Sequence, residues 1–262
     1  MDEELKLLAI KTADSVSRKI KKACKTDFYK FGNNLSIGAD GTATKFIDKI
    51  AEDAALNTIQ KSKTNVNILS EEIGFVGNGS DYTFVLDPID GTRNAYRGIP
   101  FYSVSIAVGK KSISDVEFGI VKNIPTGDSF IAEKGFGSFL NKTQISAPEV
   151  PDKEVLSSLA LGKNYDKVTL KLAKKDKVRS LGASSLEMCM VAIGALDFYV
   201  VGKEYIRVID IAASTLILRE AGGIVTNILG KQLDIPFTLD ERSSVVAACN
   251  MDLVKKIISH NL

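Results

Sequence analysis

Acidic residues close several apolar stretches of this chain. Glu71-Glu72 follow Asn67-Ile68-Leu69-Ser70, Asp87 and Asp90 follow Tyr82-Thr83-Phe84-Val85-Leu86, and Asp210 stands just before Ile211-Ala212-Ala213. Each has a structural use when taken singly. An Asp before Pro forms turns, an Asp at a helix start caps it, and Glu71-Glu72 can be a solvated pair. Brought together, these carboxylates repel one another unless a cation sits among them. Oxygen-only donors suit magnesium, manganese or calcium rather than zinc or copper. Gly91-Thr92, directly after Asp90, opens a short helical turn whose N–H groups suit an anion. A phosphate beside a hard cation implies phosphoryl chemistry. The chain carries no Walker loop, no kinase signature and no GxGxxG.

Scarcity narrows the chemistry further. The 262 residues include one histidine, His260, and three cysteines, Cys24, Cys189 and Cys249, far apart and without a CxxC. With a single histidine, histidine-based triads, Cys-His dyads and His-rich zinc sites are not expected as centres, and the thiols read as core residues. With 34 basic against 32 acidic residues the net charge is +2, so nucleic acid and membrane surfaces are not expected partners. No apolar run is long enough to span a bilayer, and the first residues, Met1-Asp2-Glu3-Glu4, lack signal-peptide order. A cytoplasmic protein is the expectation.

The elements that must position the acids are legible in part. Leu5, Leu8, Ala9, Thr12, Ala13, Val16 and Ile20 predict an amphipathic helix over 2–25. A flexible loop, Gly38–Lys45, precedes a helix over about 44–61. Strands are predicted at 67–70 and 82–86, and a meander at 102–108, 116–122 and 129–132. Pro88 and Gly91 predict a turn that ends the second of these strands at the acids. Prolines and charges between Ile145 and Lys153 suggest a boundary between two lobes, 1–150 and 151–262. Beyond it come a strand (155–161), a helix (about 165–174), a short strand near Val178 and a helix (184–193). A strand (196–201), a helix (about 210–221), strands at 224–226 and 245–248, and a closing helix from Asp252 complete the pattern. This alternation predicts layered α/β architecture.

The same residues carry a family resemblance. Glu71-Glu72, the hexamer Asp87-Pro88-Ile89-Asp90-Gly91-Thr92, and Asp210 followed by Glu220-Ala221-Gly222-Gly223 resemble the inositol monophosphatase superfamily, in order and spacing over nearly the whole chain. Gly38–Lys45, Arg93-Asn94-Ala95 and Ile206–Asp210 look most like its archaeal-type branch, which combines fructose-1,6-bisphosphatase and inositol-1-phosphatase activities. The resemblance implies a five-layer αβαβα sandwich, a homodimer, and magnesium-dependent hydrolysis of small phosphorylated sugars or polyols. It implies two or three Mg²⁺ ions, with Mn²⁺ as a substitute, and direct in-line attack of a metal-activated water. Glu71, Asp87 and the Ile89 carbonyl would hold the first ion, and Asp87, Asp90 and Asp210 the second, with Glu71 also facing a third. Asp48 and Thr92 would orient and deprotonate the water, while Gly91, Thr92 and Arg93 would bind the phosphate.

One departure bears on specificity. Animal inositol monophosphatases place a glutamate for the inositol hydroxyls two residues after an aromatic pair. Here the region after Phe198-Tyr199 reads Val200-Val201, which loosens strict inositol specificity. Tyr165, Lys177, Arg179, Lys203 and Arg207 are candidates for a second phosphate or a solvated charged face. A haloacid-dehalogenase mechanism does not fit, because its acids are spaced DxD. A phosphatase for nucleotide 3′-phosphates or NADP on the same fold stays open, and a regulatory or RNA-associated role stands against the complete acid set.

Overall fold

The computed structural model describes residues 1–39, 41–148, 154–161, 166–175 and 177–259. Its helices are α1 (Glu3–Thr26), α2 (Phe46–Ser62), α3 (Thr92–Arg97), α4 (Lys167–Ala173), α5 (Ser184–Ala192), α6 (Val208–Glu220) and α7 (Met251–Ser259). The strands are β1 (Asn34–Ile37), β2 (Ala43–Lys45), β3 (Asn67–Ser70), β4 (Gly74–Val76), β5 (Thr83–Asp90), β6 (Ser103–Gly109), β7 (Phe118–Asn123) and β8 (Ser129–Glu133). They continue with β9 (Gly137–Leu140), β10 (Thr143–Ile145), β11 (Leu156–Leu159), β12 (Lys177–Arg179), β13 (Phe198–Ile206), β14 (Ile224–Thr226) and β15 (Ser243–Ala248).

Three sheets result. An eight-stranded sheet runs β10-β9-β8-β7-β6-β5-β3-β4, a five-stranded sheet runs β12-β11-β13-β15-β14, and β1-β2 form a ribbon. Side chains alternate across the large sheet, as strand geometry requires. Phe84 and Leu86 of β5, with Val104, Ile106 and Val108 of β6, enter one core with Leu8, Ala13, Val16 and Ile20 of α1 and Ile47 and Ala51 of α2. Val85 and Ala107 enter the core on the other face, where α5 and α6 lie.

α6 is buried from Val208 to Leu218, as expected of a helix that is apolar all round. It packs on β5 to β9 of the large sheet, and α5 joins it to β13 and β15 of the small one. Gly119 of β7 permits this approach, since a Cβ there would lie 2.9 Å from the Ala213 carbonyl oxygen. In the small sheet β11 pairs in parallel with β12 on one side and β13 on the other. The crossovers β11–α4–β12 and β12–α5–β13 therefore travel in opposite directions, and right-handed connections place their helices on opposite faces. α4 and α7 cover the outer face. The order is α1/α2, large sheet, α5/α6, small sheet, α4/α7, the expected αβαβα sandwich.

Some local expectations change. The loop 38–45 contains one arm of the β1–β2 ribbon, so α2 begins at Phe46, two residues later than periodicity suggested. β13 runs on to Ile206, past the expected end at Val201. β4, β9 and β10 were not anticipated, because three- and four-residue strands rich in Gly and polar residues show no alternation. β5 does not end at Leu86 but runs through the acids to Asp90. Most of the expected lobe boundary (149–153), together with Asp40, Tyr165 and His260, lies outside the described residues.

Candidate active site

The change in β5 builds the site. Asp87 pairs with Ser105 and Asp90 with Ser103, so β5 advances three residues while β6 advances two. This is a bulge with one extra residue, and it accommodates Pro88, which has no N–H for the ladder. In a regular strand, residues three apart point to opposite faces. The bulge turns Asp87 and Asp90 to the same side, opposite two serines that share a face.

Both acids are buried, and their carboxyls are held above the usual range. For Asp87 the causes are burial and then repulsion from Glu71, Asp90 and Asp210. For Asp90, burial outweighs hydrogen bonds from Ser185 and lifts it to about 7. Asp87 Oδ1 accepts from the Ile89 N–H at 3.0 Å. Asp90 faces the N-terminus of α5, accepting from the Ser184 N–H at 3.2 Å and from the Ser185 N–H at 2.7 Å, and also from the Ser185 hydroxyl. Sequence reading missed Ser184 and Ser185. No local pattern links them to an acid more than ninety residues away, and only the packing of α5 against β5–β6 does so.

Gly91 then reverses the chain at φ +88°, a conformation few other residues adopt. A Cβ there would lie 3.0 Å from Ala183 Cβ and 3.1 Å from the Phe101 carbonyl oxygen. Thr92 begins α3, and its hydroxyl donates to Asp48 Oδ1 at 2.9 Å, with the Ile89 carbonyl oxygen 3.1 Å away. Asp48 is the third residue of α2 and also accepts from the Lys45 N–H at 2.8 Å. Burial outweighs these hydrogen bonds and raises its carboxyl to about 6. Arg93 is exposed.

Glu71 and Glu72 follow β3 as expected. Behind them Glu52, buried in α2, accepts from the Ser70 hydroxyl at 2.8 Å. The ribbon closes against this corner. The Thr44 hydroxyl donates to Glu72, and the Ala39 N–H donates to the Glu72 carbonyl at 3.0 Å.

Asp210, the third residue of α6, accepts from the Arg207 N–H at 2.8 Å. The Arg207 side chain was a candidate for a substrate phosphate. Its guanidinium lies among the acids instead, with Nη1 2.8 Å from Glu71 Oε1 and Nη2 2.8 Å from Asp210 Oδ1. Among the described residues, no three carboxylates stand close enough to enclose an ion as they are placed. Their chemistry nevertheless suits a hard cation: all donors are oxygen, three of the acids (Asp87, Asp90 and Asp210) are buried, and the net negative charge is only partly offset by one guanidinium.

The remaining specificity candidates are dispersed. Lys177 and Arg179 lie exposed on β12, and Lys203 lies exposed on β13. Lys177 pairs with Glu154. Val200 and Val201 are buried in the small sheet, so neither forms a wall facing a bound sugar. Tyr199 is buried too, and its hydroxyl meets Ser184 Oγ at 2.9 Å. Lys177, Arg179, Lys203 and Val200-Val201 are therefore not drawn into the acid cluster.

Known proteins resemble this chain over nearly its whole length. A fructose-1,6-bisphosphatase/inositol-1-monophosphatase of Methanothermobacter thermautotrophicus is 38% identical over 96% of this chain and 94% of its own. A bifunctional NADP phosphatase/NAD kinase of Methanocaldococcus jannaschii is 40% identical over 96% of this chain, which spans 49% of that protein. A Pyrococcus horikoshii protein of solved structure, described as having similarities to inositol-1 monophosphatase, superposes with a TM-score of 0.84 at 34% identity, covering 98% of this chain and 97% of its own. The profile of the Inositol monophosphatase family matches residues 1–261, and the chain belongs to that family of phosphatases.

Proposed function

We propose that the chain is a magnesium-dependent phosphomonoesterase acting on fructose-1,6-bisphosphate and inositol-1-phosphate. The observation that carries this reading is the Thr92–Asp48 hydrogen bond set beside the bulged Asp87–Asp90 pair. Glu71, Asp87, Asp90, Asp210 and the Ile89 carbonyl would hold the cations, and Mn²⁺ could replace Mg²⁺. The bound cation supplies polarised phosphoryl oxygens and a water acidic enough to react near neutral pH.

The protein's part is positional and electrostatic. Thr92 accepts a hydrogen bond from the attacking water and passes its own proton toward Asp48. Asp48, with its carboxyl near the working pH, is suited to take that proton. The N–H groups of Gly91 and Thr92 at the start of α3 orient the phosphate, and Arg93 adds charge from the exposed side. The relative from Methanothermobacter, named for both activities, supports this substrate pair.

A second reading, NADP phosphatase, is favoured by the relative from Methanocaldococcus, whose matched portion is about half of that protein. A homodimer is part of the proposal. Exposed apolar side chains on the β1–β2 ribbon and edge strand β4 (Leu35, Ile37 and Phe75) support it. No described helix is long and apolar enough to cross a membrane, in keeping with the proposed cytoplasmic setting. The deciding experiment is phosphate release with Mg²⁺ from fructose-1,6-bisphosphate, inositol-1-phosphate, a nucleotide 3′-phosphate and NADP. Release from the first two supports the main reading. Release from NADP alone would replace it.

A further inference from the structure

We propose that Arg207 is an internal counter-cation of the acid cluster, holding Glu71 to Asp210 when no metal is bound and yielding Glu71 when a divalent cation enters. The inference rests on the metal-dependent reading above.

The contacts are specific. Nη1 donates to Glu71 Oε1 at 2.8 Å and Nη2 to Asp210 Oδ1 at 2.8 Å, while Nε lies 3.2 Å from both oxygens of Asp210. The Arg207 N–H adds a fourth donor, 2.8 Å from Asp210 Oδ2. The three side chains are largely shielded, with 17%, 18% and 12% of Arg207, Glu71 and Asp210 exposed. Charge-assisted hydrogen bonds in such surroundings are strong ones, and a guanidinium keeps its charge at any working pH.

Those same oxygens are the ones a cation needs. Magnesium binds oxygen at about 2.0–2.1 Å with near-octahedral demands. A guanidinium already donating to Glu71 and to both oxygens of Asp210 occupies the directions and the charge the ion would use. The two cations therefore exclude one another in the gap between Glu71 and Asp210.

Exchange needs little rearrangement. Arg207 is the N-cap of α6, with extended backbone at φ −97°, so its backbone N–H continues to hold Asp210 after the side chain leaves. The long stem turns about rotatable bonds, whereas Asp87, Asp90 and Asp210 are fixed on β5 and α6. Arg207 thus acts in two ways. It relieves repulsion among the acids in the empty protein, and it raises the metal concentration needed to fill the site. It is a positioning residue, not one that touches substrate.

The test uses the full chain and Mg²⁺ alone, with binding read by titration calorimetry and stability by thermal melting in EDTA and in Mg²⁺. Arg207→Gln should melt lower than wild type in EDTA and bind Mg²⁺ roughly tenfold more tightly, since occupancy of a competing state weakens apparent affinity in proportion. Arg207→Lys, which reaches one acid with a point charge, should fall between. If Arg207→Gln folds only in Mg²⁺, recovery of the wild-type melting temperature supports the proposal, and failure to recover overturns it unless the lysine variant binds Mg²⁺ more tightly than wild type. Equal or weaker Mg²⁺ affinity in both variants would show that Arg207 supports the loaded site and would overturn the proposal. Absence of Mg²⁺ binding by wild type would instead remove the metal-dependent reading itself.

Discussion

The Thr92 hydroxyl donates to Asp48 Oδ1 at 2.9 Å, joining the first residue of α3 to the third residue of α2. The two residues lie forty-four positions apart. Asp48 keeps its second oxygen on the Lys45 N–H, so the carboxylate cannot turn away from Thr92 without losing that hydrogen bond. The pair is thereby set up as a fixed acceptor beside a hydroxyl, as proton removal from water requires.

Thr92→Ala should lower kcat far more than it changes KM, because in the proposed mechanism the hydroxyl would act on the reacting water and not on the bound substrate. Thr92→Ser should recover most of the rate. The pH profile gives a second readout. The acidic limb of kcat/KM should fall near pH 6, where Asp48 becomes protonated. Thr92 donation holds that carboxyl down, so the limb should move to higher pH in Thr92→Ala. An unchanged kcat would remove Thr92 from the mechanism.

Asp90→Asn should abolish most of the activity while leaving a folded protein. The amide oxygen still accepts from one of the two serine N–H groups at α5, but the charge shared with a cation is gone. The fold should lose about 1–3 kcal/mol, the usual cost of an imperfectly satisfied buried group. Denaturant melts and phosphate release measure the two effects separately. Wild-type turnover persisting in EDTA would refute the metal-based assignment.

Which parts of this were legible beforehand follows from how local each signal is. The face of α1 was readable because Leu5, Leu8, Ala13, Val16 and Ile20 repeat with the helix period, and all are buried. The acids were readable because they close apolar runs. The bulge was not, since Pro88 announces an end to pairing and gives no hint that β5 resumes at Asp90 opposite Ser103. Arg207 was read as a substrate contact because its tie to Glu71 spans 136 positions. Val200-Val201, expected to loosen inositol specificity, are buried in the small sheet, which their sequence alone does not reveal. For the bulge and for Arg207 the deciding neighbour lies on another element, out of reach of any local pattern.

Stability without metal should fall as pH rises. Asp87 and Asp90 are held above their ordinary values in the folded chain, Asp90 at about 7 against a reference of 3.8. Between those limits the folded state binds more protons than the unfolded state, so stability declines with increasing pH and the full penalty is present above about pH 7. Mg²⁺ removes the repulsion, and its stabilising effect should be larger at about pH 8 than at about pH 5. Thermal melts with EDTA or saturating Mg²⁺ at the two pH values measure this. A larger metal-dependent gain at the acid pH would contradict it.

Glu187→Gln should loosen the site from behind. The Glu187 carboxylate is buried and accepts from the Leu181 N–H at 3.0 Å, from the Ala183 N–H at 3.2 Å and from the Ser158 hydroxyl. An amide in its place turns a donor toward other donors, at a cost of about 1–3 kcal/mol. The segment 181–183 leads into Ser184 and Ser185, which hold Asp90. Mg²⁺ affinity should therefore fall along with stability. Glu187→Gln with unaltered Mg²⁺ affinity would show that the loop is set by packing alone.

Preference for a bisphosphate should rest on Arg179 and Lys203. Arg179 closes β12, and Lys203 lies past the part of β13 that pairs with β11, in the irregular stretch between Val201 and Ile206, so the two cations stand toward one end of the small sheet. β12 leads to α5, whose first residues hold Asp90, and this places the same end beside the acids. Both side chains are exposed, and Arg179 makes a hydrogen bond to the Val178 carbonyl at 3.0 Å. These two exposed cations are candidates for a distal phosphate. One charge-assisted contact contributes roughly 1.5–3 kcal/mol, or about tenfold to a hundredfold in affinity. Arg179→Ala should raise KM for fructose-1,6-bisphosphate by about that factor and leave inositol-1-phosphate nearly unaffected, with Lys203→Ala acting in the same direction. Equal losses on both substrates would mean that Arg179 serves the scissile phosphate or the fold, and a wild-type enzyme active on inositol-1-phosphate alone would remove the need for a distal site.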